Sequence, residues 1–109
     1  MLSKEMTTDL VNGLYSIFKE ELISIILYGS VARGDDKEDS DIDIAVVLQN
    51  GISNFNKEAF FNLSSNMDIK YDKVFSIIDI ENKKLEQWGE ILPFYKNIKN
   101  EGVVLWKAA

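Results

Sequence analysis

Leu22-Ile23-Ser24-Ile25-Ile26-Leu27-Tyr28 runs into Gly29-Ser30-Val31-Ala32-Arg33-Gly34-Asp35, and Ser40-Asp41-Ile42-Asp43-Ile44-Ala45-Val46-Val47-Leu48 follows a few polar residues later. The first seven residues are apolar and rich in β-branched side chains, as a buried strand is, and Gly29 closes them. The polar turn from Arg33 to Ser40 leads to a second strand, Ile42 to Leu48. Asp41 and Asp43 stand at i and i+2 on that strand, so their carboxylates project from one face, about 6–7 Å apart along the backbone. Ile42 and Ile44 point the other way, into a core. Two like charges side by side on a strand repel, and aspartate is a poor strand former. A cation between them removes the conflict, and oxygen-only ligands suit Mg²⁺ or Mn²⁺ rather than zinc.

Upstream, Leu10, Val11, Leu14, Tyr15 and Phe18 fall at helical spacing, with Thr7 or Thr8 as N-cap and an end near Glu20-Glu21. Downstream, Asn50-Gly51 marks the exit from the second strand. A helix is expected from Lys57 to about Met67, with Ala59, Phe60, Leu63 and Met67 on one side. Asp72 to Ile80 reads as a third strand, Lys83 to Leu92 as a short helix, and Pro93 as the start of another reaching about Asn100. Gly102 suits the C′ position of that helix, and Val103-Val104-Leu105-Trp106 can form a last short strand. The link from 29 to 41 has room for a short helix. The order predicts one α/β (α+β) domain spanning 1–109, a small mixed sheet flanked by helices.

The 109 residues hold 12 basic against 18 acidic side chains, a net charge of −6, with no histidine and no cysteine. The two zeros exclude disulfides, thiolate or imidazole zinc sites, cysteine nucleophiles and histidine triads. Acid–base or metal chemistry must therefore run on carboxylates, lysines, tyrosines or backbone. An acidic chain lacks the basic surface that non-specific nucleic-acid binding uses. No apolar leader is visible and the apolar runs are too short to span a bilayer, so a cytoplasmic location is the expectation.

Asp35, Asp36 and Asp39 read as a solvated acidic turn. Asp39-x-Asp41-x-Asp43 opens like a calcium loop, but Ile44 and Asn50 stand where that loop needs Gly and Glu. Gly29-x-x-x-x-Gly34 opens like a Walker loop, but Asp35-Asp36 replace its Lys-Ser/Thr, and two anions cannot cradle phosphate. What survives is a combination. Gly29 lets a phosphate approach the backbone, and Ser30 adds an N–H and a hydroxyl at the start of a helix. Metal ions on Asp41 and Asp43 would meet the same phosphates from the opposite side, which is the equipment of phosphoryl or nucleotidyl transfer.

Gly29-Ser30, ten residues, then Asp41-x-Asp43 resembles the signature of the minimal nucleotidyltransferases of the DNA polymerase β superfamily, and Glu101-Gly102-Val103-Val104-Leu105-Trp106 is similar to their usual ending. The resemblance implies that Gly29 and Ser30 hold a nucleotide triphosphate and that Asp41 and Asp43 bind two Mg²⁺ ions, or Mn²⁺. It implies a third carboxylate on a later strand, binding metal and helping to deprotonate the acceptor. Asp72 is the choice by family position, with Asp79 and then Asp68 as competitors. Period alone puts Asp72, Val74, Ser76 and Ile78 on one face and Asp79 on the other, without saying which face meets the site. Arg33 either touches phosphate or anchors the turn. Trp88, Phe94, Tyr95 and Trp106 read as packing residues, and lysines 83, 84, 96, 99 and 107 as solvated faces.

Superfamily members acting on polynucleotides carry extra domains for the acceptor, for which this length leaves no room, so neither DNA nor RNA is expected as acceptor. Small stand-alone members resembling this chain are paired with a helical HEPN protein in a toxin–antitoxin arrangement. There the nucleotidyltransferase attaches AMP from ATP to a tyrosine of the HEPN ribonuclease. The competing expectation is a binding module that keeps the fold and neutralises its partner by contact alone. Nucleotidylation of a small molecule, as in aminoglycoside-modifying relatives, is a third.

Overall fold

The computed structural model describes residues 2–109. The elements are α1 (Lys4–Phe18), β1 (Leu22–Tyr28), α2 (Gly29–Arg33), β2 (Ile42–Leu48), α3 (Asn54–Tyr71), β3 (Phe75–Glu81), α4 (Asn82–Trp88), α5 (Pro93–Glu101) and β4 (Val103–Lys107). One four-stranded sheet runs in the order β3-β2-β1-β4. β1 pairs antiparallel with both β2 and β4, and β2 pairs parallel with β3, so the sheet is mixed as expected.

Each face buries its own core. Leu10, Leu14 and Phe18 of α1 and Met67 of α3 cover Ile25, Leu27, Ile42, Ile44, Val46 and Phe75. On the other face Leu85 of α4 and Ile98 of α5 cover Ile26, Ala45, Val47 and Ile80. A register shift between Leu22 and Ser24 lets Leu22 join Ile25 in the first core although strict alternation would put positions 22 and 25 on opposite faces. Burial on both sides explains why β1 and β2 read as near-continuous apolar runs rather than alternating ones. No helix among the described residues is long and apolar enough to cross a membrane.

Several expected boundaries move, each for a local reason. Ser3, not Thr7 or Thr8, caps α1: its hydroxyl accepts from the Met6 N–H at 3.2 Å. α1 stops at Phe18, and Lys19 takes a positive φ of 51° before a short 3₁₀ turn. Ser53 caps α3, three residues earlier than the apolar pattern suggested. Pro93 does open α5, but Gly102 follows it in extended conformation (φ −69°) rather than as a left-handed cap. A Cβ at Gly102 would lie 2.3 Å from the Ile98 carbonyl oxygen and 2.5 Å from Ile26, so glycine is there for close packing.

The largest shift is at the end of α3. Asp72 is not the first residue of β3; it is the left-handed cap of α3 (φ 51°), and β3 begins at Phe75. The Asp68 carboxylate accepts the Phe75 N–H at 2.7 Å while its own carbonyl takes the Lys73 N–H. That pair of bonds sets where helix gives way to strand. The last turn of α3 is also held to α1, because Asp9 accepts from Lys70 Nζ at 2.6 Å and from the Tyr71 hydroxyl.

This clasp gives a pH prediction. Hydrogen bonds from Lys70 and then Tyr71 hold the Asp9 carboxyl below its ordinary value of 3.8. A lowered folded-state value stabilises above the ordinary one and is lost as pH falls through the folded one. The Asp9 bond likewise raises Lys70 above 10.5, so that share is lost as alkali titrates the amine. Asp9→Ala is expected to flatten the acid limb of stability below about pH 4, measured by urea unfolding at stepped pH.

Candidate active site

Ile42 anchors the site from below. Its N–H donates to the Val74 carbonyl at 2.9 Å, and its side chain is buried in the α1/α3 core. Alternation along the pleat turns Asp41 and Asp43 to the other face, the one α4 and α5 cover further along. Asp41 is exposed and Asp43 is half-buried. Asp43 is the ladder partner of Tyr28 on β1 and of Ser76 on β3.

Gly29 follows Tyr28 directly and enters α2 with φ 77°. A Cβ there would lie 2.2 Å from Asp43 Oδ2. Glycine therefore meets two demands at once: a left-handed backbone, and a backbone lying directly against the carboxylate. No side chain caps the first N–H groups of α2. The space in front of Asp43 is thus edged by backbone amides on one side and by carboxylates on the other.

The charges agree with that geometry. Burial first, and then repulsion from Asp41, push the Asp43 carboxyl above its ordinary range, while Arg33 pulls it down. Burial and the Asp43 charge likewise raise the Tyr28 phenol, which stays neutral. Arg33 itself bonds Asp35 Oδ2 through Nε at 3.3 Å and Glu101 Oε2 through Nη1 at 3.4 Å. Of its two expected roles, the turn anchor is the one its contacts describe. The second bond ties α2 to α5.

The expected third carboxylate does not join the pair. Among the described residues, no three His, Cys, Asp or Glu side chains come together as a metal cage. Asp72, displaced by the longer α3, is exposed and lines an open cleft of about 260 Å³ with Asp39, Ser40 and Asp68. Asp79 pairs with Val46 and so faces the α3 side, in a cleft with Lys57 and Phe60. Asp68 is spent on the Phe75 N–H. The donor set facing the Gly29 amide is two carboxylates. That still suits a small hard cation, because Mg²⁺ is commonly held by one or two carboxylates together with substrate phosphates.

Tyr28 and Ser76 flank Asp43 and were not singled out from the sequence. Ser76 was visible on the Asp72 face, but only the β2–β3 register brings it beside Asp43. Phe94, expected as a packing residue, is 45% exposed, yet its ring meets Tyr28 edge-on with centroids 6.0 Å apart.

Residues 12–108 match the family model described as polymerase beta, nucleotidyltransferase. The chain belongs to this family. Its relatives include two proteins of Methanocaldococcus jannaschii provisionally named protein adenylyltransferases. One is 34% identical over 97% of this chain and 100% of its own length, the other 29% identical over 91% and 94%. Solved structures of similar fold include a toxin–antitoxin with AMP-PNP (22% identity, TM-score 0.67, covering 94% of this chain and 73% of that one). Another is a tri-AMPylated Shewanella oneidensis HEPN toxin in complex with its MNT antitoxin (18% identity, TM-score 0.56, covering 94% and 70%). The chain is thus a nucleotidyltransferase by family, on a mixed sheet flanked by helices.

Gly29→Ala tests the close approach. A methyl group cannot coexist with Asp43 Oδ2 where it stands, and the left-handed backbone adds about 1–2 kcal/mol of strain. The variant is expected to fold with a lowered Tm and to gain less thermal stability than the parent on adding Mn²⁺ with ATP, measured by calorimetry.

Proposed function

We propose that this nucleotidyltransferase transfers AMP from ATP, with Mg²⁺, to a hydroxyl of a separate protein, a tyrosine of a HEPN-type partner. The observation that carries the reading is the close packing of the Gly29 backbone on Asp43, where a Cβ would lie 2.2 Å from Oδ2, which sets the uncapped N–H groups of α2 beside the carboxylate pair so that both can reach one triphosphate. The protein adenylyltransferase names of the relatives support AMP as the transferred group. The toxin–antitoxin complexes of similar fold support the choice of partner.

Each residue has a task in this reading. Gly29 and Ser30 receive the triphosphate on backbone N–H groups and the serine hydroxyl. Asp41 and Asp43 hold the divalent cation. When bound, that cation neutralises phosphate charge and stabilises the pyrophosphate leaving group. Arg33 holds the Gly34 turn to α5 through Asp35 and Glu101, which keeps α2 aimed at Asp43. Asp72 has no task here, being outside the pair. The remaining chemistry is in-line displacement at the α-phosphorus, which needs positioning rather than a covalent protein intermediate.

The test is incubation with Mg²⁺, each nucleoside triphosphate in turn, and a HEPN protein encoded beside this chain, read by intact mass. One AMP increment on the HEPN protein is expected, from ATP only. Asp43→Asn should reduce the rate at least about a hundredfold while binding to the partner persists. Protection of the partner by Asp43→Asn without any increment would instead mark a contact inhibitor.

A further inference from the structure

Three strands set what surrounds Asp43. β1 contributes Tyr28, whose ring is covered by Phe94 of α5. Gly29 and α2 close the side above it. The remaining flank belongs to β3, the sheet edge, where Ser76 is the ladder partner of Asp43. Neighbouring strands lie about 4.8 Å apart and ladder partners share a face, so Ser76 is the β3 side chain nearest the carboxylate. The other β3 side chains of that face are Ile78 and Ile80, both packed in the α4/α5 core. β3 therefore brings one polar group to the site, and it is neutral. Its only aspartate, Asp79, is turned to the opposite face.

We infer that Ser76 is a specificity-determining residue, which keeps the centre at two carboxylates and restricts transfer to acceptor hydroxyls that ionise readily. This rests on the nucleotidyl-transfer reading above. The open flank over β3 is where an acceptor reaches the α-phosphorus, since β1, α2 and α5 close the others. In the step, the acceptor O–H gives its proton to solvent and its oxygen bonds to the α-phosphorus. The bond from that phosphorus to the bridging oxygen breaks, and pyrophosphate leaves. A carboxylate at position 76 could take that proton; a serine hydroxyl, itself a weak acid, cannot. A positioned general base is worth about 10²–10⁴ in rate. Without one, a phenol with pKa near 10 has a large advantage over an aliphatic hydroxyl, which is a far weaker acid, close to water itself. The acceptor class that fits is a tyrosine side chain rather than serine, threonine or a sugar hydroxyl.

Two arms test this. The first gives the wild-type protein Mg²⁺, ATP and a pair of peptides differing only by Tyr or Ser, and reads AMP increments by mass. Transfer to the tyrosine peptide at least about a hundredfold faster supports the inference, and comparable rates overturn it. The second measures Mn²⁺ affinity by electron paramagnetic resonance, without any acceptor, for wild type, Ser76→Asn and Ser76→Asp. Ligand charge tunes such sites, so Ser76→Asp should bind at least about tenfold tighter, with Ser76→Asn near wild type. Should Ser76→Asp not fold, Ser76→Glu takes its place. Unchanged affinity in a folded acidic variant overturns the placement of Ser76. If no acceptor is ever modified yet the affinity rises as expected, the transfer reaction and the acceptor restriction fail and the two-carboxylate placement stands.

Discussion

The antiparallel pairing of β1 with β2 is the constraint from which the site follows. Because Tyr28, the last residue of β1, sits opposite Asp43, the residue that follows turns away over that carboxylate. Glycine suits the turn, at φ 77° and with no room for a Cβ, which would lie 2.2 Å from Asp43 Oδ2. A seven-residue strand register thus converts two separate pieces of sequence into one site with amides on one side and carboxylates on the other. Neither piece has that property alone. Burial, and after it repulsion from Asp41, raise the Asp43 carboxyl, so the folded protein keeps a desolvated carboxylate beside a like charge. Retained electrostatic conflict of this kind is what a cation-dependent site is expected to carry before it is loaded.

The rest of the fold holds that register in place. The α1/α3 core grips Ile42 and Ile44 from beneath, which orients the aspartates between and beside them to the other face. The α4/α5 core grips Ala45 and Val47 further along the same strand. α5 then reaches α2 through the Arg33–Glu101 bond, and it reaches β1 through the tight passage at Gly102. Exposed ion pairs of this sort contribute little stability. Their value here is directional, because they set where a five-residue helix points.

Much of this was legible in advance, and the parts that were not share a cause. β1 and β2 were read with their observed bounds, since burial on both faces leaves long β-branched apolar runs. That Gly29-Ser30 and Asp41-x-Asp43 belong together was legible from their spacing on two adjacent strands, and the β1–β2 pairing does bring Gly29 against Asp43. The position of Asp72 was not legible. Its fate depends on Asp68 capping the Phe75 N–H and on Lys70 and Tyr71 holding the last turn of α3 to Asp9, and these are tertiary contacts. Nor could period alone assign the faces of β3: alternation separates Ser76 from Asp79, but only pairing with β2 says which of them meets Asp43. Ser3 was overlooked as a cap because the apolar pattern of α1 begins later than the helix does.

The central claim is that one bound nucleotide touches both the α2 amides and a cation on Asp41 and Asp43. Phosphorus-31 hyperfine coupling to bound Mn²⁺ measures this directly, with ATP and without any acceptor. Strong coupling in the wild type, abolished in Asp43→Asn, is the predicted result. Binding of Mn²⁺ and ATP with no coupling between them would contradict the account.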